Sequence, residues 1–181
     1  MSITKLPELT FQIMLELDIK SISNLCQTTL AMQIICQNDY FWKLKFEKDG
    51  LNFKEHDDYI FLYHLEFLWR ELNNQPLVKN KGFEHYKRSI TFDITHLPLS
   101  ALLTIDKENE VVGRFLKRIT SRFQPEIKIE KSPYFGYVVH LNLTINGTVI
   151  PKYYIRISDP TEVYNFIQLL LLNNTPYKIV N

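Results

Sequence analysis

The chain holds only two cysteines, Cys26 and Cys36, with neither a CxxC pair nor a neighbouring histidine at ligand spacing. That speaks against both a zinc site and a disulfide scaffold, and it favours a reduced intracellular compartment, cytoplasm or nucleus. Excess charge of either sign is also missing. The net charge is +1, so no global field draws the protein to nucleic acid or to a membrane surface. The richest apolar stretch, Ile167 to Leu172, is far too short to span a bilayer. The first residues lack the basic-then-apolar pattern of a signal peptide. P-loop, GxSxG and HExxH motifs are absent, and the histidines at 56, 64, 85, 96 and 140 are scattered. The expectation is a non-enzymatic protein that carries no cofactor and no metal.

What is present is apolar and aromatic. Hydrophobic residues make up 45% and aromatics 13%, enough to exclude a largely disordered chain. A chain of 181 residues buries about two thirds of its unfolded surface in one or two small domains. The first fifty residues read as short helices. Pro7 suits a first helical turn, and Leu9, Ile13 and Leu17 recur at i, i+4 and i+8. Asp18 is placed to cap a second helix carrying Ile22 and Leu25. Asn38 or Asp39 is placed to cap another with Phe41, Trp42 and Leu44, and Gly50 to end it. The same apolar residues also suit the internal core of a small helical bundle.

The segment LPELTFQIMLELDIKSISNLCQTTLAMQIICQNDYFWKL, residues 6–44, resembles the F-box family. F-box proteins are adaptors that bind the linker protein Skp1, and through it a cullin, to hold a substrate on a ubiquitin ligase. Leu6-Pro7 matches the opening Leu-Pro, Ile13 and Leu17 the first-helix hydrophobics, and Asp18 the acidic residue after them. Ile22 and Leu25 match the apolar pair of the second helix, and Phe41-Trp42 the closing aromatic pair. Glu8 and Leu9 come one position early, and Thr28 and Met32 replace the family's usual Val and first Trp. In its Ile, Asn and Lys usage the segment looks most like short F-box proteins of large DNA viruses of amoebae, which would make the recruited protein a host factor. The resemblance implies Skp1 contacts at Leu6, Pro7, Leu9, Ile13, Leu17, Ile22, Leu25 and Trp42, some of them facing the partner and some an internal core.

The remainder reads as α+β: an F-box-like helical module (1–50), a connecting helix and linker (51–82), and a substrate-recruiting domain (83–181). Residues 57–72 form an aromatic helix in which His64 is a packed histidine, and the polar Asn73–Gly82 stretch reads as the linker. Ile90, Phe92 and Ile94 alternate as on a strand, and so do Ile127 and Ile129. Tyr137, Val139, Leu141, Leu143 and Ile145 alternate up to Asn146-Gly147, a type I′ hairpin signal, and Tyr153, Ile155 and Ile157 line the return. Pro151 puts that return strand at an edge or beside a bulge. Helices at 106–123 and from Asp159-Pro160-Thr161-Glu162 onward are expected to cover one face of an antiparallel sheet.

Two surfaces are candidates for binding. Val138, His140, Asn142 and Thr144 alternate with the apolar set and, with Tyr154 and Arg156, mark the open sheet face as the place for a protein substrate. Arg114, Lys117, Arg118 and Arg122 form a basic stripe on the helix expected at 106–123. That stripe suits phosphate binding in an alternative nucleic-acid-binding or scaffold reading. The placement of Asp106, Glu108 and Glu110 before the bases explains it equally by the helix dipole, so nucleic acid is the second reading.

Overall fold

The computed structural model describes residues 5–80, 82–97 and 124–181. The chain divides into two compact units, Met1–Phe67 and Leu68–Asn181. The first contains α1 (Lys5–Glu16), α2 (Ile19–Cys26), α3 (Leu30–Cys36), α4 (Asp39–Lys48) and the first residues of α5 (Tyr59–Asn73). Short helices of this kind are held mainly at their ends. Asp18 caps α2, its Oδ1 accepting from the Ser21 N–H at 2.9 Å, and Asn38 Oδ1 accepts from Tyr40 N–H at 2.9 Å to start α4. Thr29 caps α3 in the same way. Beyond α4, Gly50 N–H donates to Glu47 O and Leu51 N–H to Phe46 O, the paired bonds of a Schellman ending.

The core of this unit is built from Met14, Leu15, Ile22, Phe41, Trp42, Phe46, Leu51, Leu62 and Tyr63. Trp42 is central: its ring stacks on Tyr59 at 5.8 Å, meets Phe41 and Phe46 edge-on, and its Nε1–H donates to Cys36 O at 2.7 Å. Lys45 is buried as well. Its ammonium donates to Leu15 O at 3.1 Å and Leu17 O at 2.8 Å and pairs with Asp49 at 2.9 Å. It thus supplies donors to the carbonyls left open at the end of α1 and ties that helix to α4. Thr28 stays at the surface, where its hydroxyl donates to Leu25 O at 2.7 Å.

The cysteines depart from the sequence expectation. Cys26 and Cys36 form a disulfide with their Cα atoms 5.9 Å apart. The two residues end α2 and α3 respectively, and the folding of these helices against each other brings together positions whose spacing in sequence carries no motif.

The second unit takes α5 from Leu68 onward, then β1 (Leu77–Asn80), β2 (Phe83–Tyr86), β3 (Ser89–Asp93), β4 (Gln124–Ser132), β5 (Gly136–Ile145), β6 (Thr148–Ile157), α6 (Pro160–Leu172) and β7 (Tyr177–Val180). It is an α+β unit with an antiparallel five-stranded sheet in the order β6-β5-β4-β3-β7. The stretch read as a linker is instead structured: Asn73 ends α5, and β1 pairs with β2 as a separate hairpin. Its Pro and Gly mark the turns around a short hairpin, and the division between units falls inside α5. β7 is also additional to the expected elements, because four residues are too few for alternation to register. The helix expected at 106–123 lies outside the described residues, as do Arg114, Lys117, Arg118 and Arg122.

The long hairpin follows its sequence signal. Asn146 and Gly147 both have positive φ, 51° and 77°, as a type I′ turn requires. The register skips one residue between the pairs Leu141↔Tyr153 and Asn142↔Pro151. β6 therefore carries a bulge next to Pro151 and is also an edge strand. On the apolar face Ile127, Ile129, Val139, Leu141, Ile90 and Phe92 are buried. Trp69 of α5 stacks on Tyr137 at 5.7 Å and meets Tyr164 of α6 edge-on, so both helices lie on this side. Asp159 caps α6 through Thr161 N–H at 2.8 Å.

Candidate functional site

In the first unit the F-box-like positions separate into two groups. Ile22 and Trp42 have no exposed surface; they build the internal core. Leu17 and Leu25 are half-buried against it. Leu9 and Ile13 point the other way, 62% and 52% exposed, because α1 turns Met14 and Leu15 inward instead. Leu6 and Pro7 lie in the first turn of α1. Sequence reading missed a second outward pair, Leu30 and Ile34 of α3, 72% and 58% exposed. Their i, i+4 spacing was the available signal. α3 has no fully buried residue at all. Apolar side chains of this size, exposed on two helices of one small unit, are a binding surface or an aggregation liability.

In the second unit the pairing register places His140 opposite Tyr154 and Val138 opposite Arg156, so the predicted recruiting residues share one face. Glu126, Lys128 and Glu130 of β4 lie on the same face, opposite Asn142, His140 and Val138. Glu130 Oε1 meets His140 Nε2 at 2.9 Å, and its other oxygen pairs with Lys128 at 2.5 Å. The bond from His140, with help from Lys128, outweighs burial and holds the Glu130 carboxyl down at about 2. Arg156 stands apart from this network. Its guanidinium lies 3.9 Å from the Phe135 ring centre and 5.7 Å from that of Tyr154. Phe135 was not expected to take part; it reaches this position from the β4–β5 turn. Tyr134 and Tyr154 are exposed beside it.

The far end of the same face holds an open cleft of about 410 Å³ lined by Thr91, Asp93, Glu126, Thr144 and Lys178 among others. Its carboxylates are already engaged. Asp93 accepts from Thr95 N–H at 2.9 Å, and Glu126 accepts from Asn142 at 3.3 Å and lies 3.9 Å from Lys178. His64 of α5 is partly buried, and burial pushes its imidazole below the usual value. Among the described residues no group of three or more His, Cys, Asp or Glu is arranged to hold a metal ion. No described helix is long and apolar enough to cross a membrane. Comparison with protein-family models, with curated proteins and with solved structures gives no match.

Proposed function

We propose that the protein is a non-enzymatic adaptor whose helical module docks on Skp1, and through it on a cullin, while its sheet unit recruits a protein substrate. The observation that supports this reading is the division of the F-box-like residues. Ile22 and Trp42 are spent on an internal core, whereas Leu9 and Ile13 of the same motif, with Leu30 and Ile34, remain outside it. A self-contained bundle has no use for two exposed apolar pairs, and a docking module does. Val138 and Asn142 of the open sheet face are buried, so the recruiting surface in this reading is its edge toward β6, where Tyr154 and Arg156 are exposed beside His140.

The test is copurification with Skp1 and a cullin, comparing two classes of variant. Leu9→Asp with Ile13→Asp is expected to abolish capture of Skp1 while the circular dichroism spectrum stays that of the parent. Ile22→Asp is expected to unfold the module, because it puts a charge into a packed core. Capture that survives the surface double variant would exclude α1 as the docking helix and, with it, the F-box reading.

A further inference from the structure

Arg156 differs from the other charged groups on its sheet face. Lys128, Glu130 and His140 satisfy one another, and Glu126 is engaged by Asn142 and Lys178. Arg156 is exposed and has no carboxylate partner among the described residues. Glu130, in the same row across the sheet through Val138, is turned toward His140 and Lys128 instead. What Arg156 has is two aromatic rings, Phe135 and Tyr154. Rings beside a guanidinium restrict its motion and leave its in-plane N–H groups open, the arrangement that recognises a carboxylate with two parallel hydrogen bonds.

The backbone beside Arg156 is equally open. β6 is the terminal strand of its sheet. Exposed strand edges are ordinarily blunted by proline, bulges or charge. Here the proline and the bulge both lie at residues 151–152, toward the hairpin turn. The other half, Tyr154 to Ile157, keeps regular pairing with β5 on its inner side and has no strand on its outer side among the described residues.

We propose that this half-strand accepts an extended acidic peptide segment of a partner protein by strand addition, with an Asp or Glu of that segment held by Arg156 and an adjacent side chain resting on Tyr154. The proposal rests on the recruiting role given above to the sheet face, and it names the class of segment recruited. Backbone pairing supplies affinity and the Arg156 clamp supplies selectivity. A single carboxylate fits better than a nucleic-acid strand, because Glu130 and Glu126 on the same face repel a run of phosphates.

The experiment uses the full chain, with no Skp1 present, to select from a random dodecapeptide phage library. A binding peptide is then synthesised together with its Glu→Gln (or Asp→Asn) twin. Expected are an acidic residue at one fixed position and binding weakened at least about tenfold in the amide twin, the loss of one charged, bidentate contact. Arg156→Gln should remove the distinction between the two peptides, and Arg156→Lys should restore only part of it, with melting curves unchanged for both variants. A selection that yields no binder, or no acidic preference, overturns the proposal. So does a preference that Arg156→Gln leaves intact. Displacement of the peptide by a single-stranded oligonucleotide overturns it in favour of nucleic acid. Because Skp1 is not in the assay, failure of the docking surface on α1 and α3 leaves this result readable, and the reverse holds equally.

Discussion

Lys45 shows at the scale of one residue how much of the helical unit depends on a group that no spacing announces. Its ammonium is buried with two helix-end carbonyls and the Asp49 carboxylate as partners, and the Tyr63 hydroxyl donates to the same carboxylate at 2.5 Å. Lys45→Met keeps much of the volume and removes every one of the ammonium's contacts. It is expected to destabilise the unit by roughly 3 kcal/mol, the lower end of the cost of breaking a buried ion pair from one side. Urea-dependent hydrogen exchange of the α1 and α4 amides measures this directly. Glu130 gives the sheet unit a pH dependence of defined sign. Its carboxyl titrates at about 2 in the folded chain against an ordinary 4.5. It therefore adds stability that is complete above pH 4.5 and is lost as pH falls from there through about 2. Glu130→Gln should therefore be less stable than the parent at neutral pH and converge with it as pH falls toward about 2, so that its acid limb is flatter, read from thermal melts across the range.

Among the elements, α2 and α3 are joined by Cys26–Cys36, ten residues apart in sequence. In the chain-entropy account a loop of that length is worth about 2.7 kcal/mol. Persistent disulfides belong to oxidising compartments, whereas the proposed partner complex works in a reducing one, so the helical unit must hold without this link for the proposal to stand. Both helices have caps of their own, at Asp18 and Thr29, and Trp42 still bonds Cys36 O. Reductant, or Cys26→Ser with Cys36→Ser, is accordingly expected to lower the melting point of this unit without removing its helical signal. Complete loss of helicity on reduction would contradict an intracellular adaptor. The contrast between α1 and α4 is instructive too. α4 buries Phe41, Trp42, Lys45 and Phe46, while α1 leaves its i, i+4 pair Leu9 and Ile13 outside.

For the whole molecule, the division of the chain decides which fragments are stable. The sheet unit begins at Leu68, not at Phe83. Trp69 stacks on Tyr137, Asn73 accepts from the Tyr137 hydroxyl at 2.6 Å, and Gln75 accepts from Arg88 N–H at 2.6 Å. A fragment comprising 83–181 lacks all three contacts. It is expected to be less stable than one beginning at 57 by about 2–3 kcal/mol, since each lost hydrogen bond is worth about 1 and the stacked aromatic pair about 0.5–1.5. Parallel denaturation of the two fragments checks this. The exposed apolar pairs on α1 and α3 carry a further expectation: coexpression with Skp1 raises the soluble yield of the full chain, and the Leu9→Asp, Ile13→Asp variant no longer needs it.

Alternation and turn chemistry act between near neighbours, and those features were open to reading from the sequence alone. They include the caps at Asp18, Asn38 and Asp159, the Asn146-Gly147 hairpin, the edge position of the Pro151 strand, and the shared face of His140, Tyr154 and Arg156. Only the tertiary structure decided which side of each amphipathic helix faces inward. Leu9, Ile13 and Leu17 form as regular a stripe as any, yet α1 buries Met14 and Leu15 against the core and leaves Leu9 and Ile13 outside, while Leu17 beyond its end is half-buried. The same holds for the Cys26–Cys36 bond, the buried Lys45, the ring of Phe135 beside Arg156, and the unit boundary inside α5. Each depends on groups distant in sequence meeting in space, and periodicity along one chain segment carries no information about its partner.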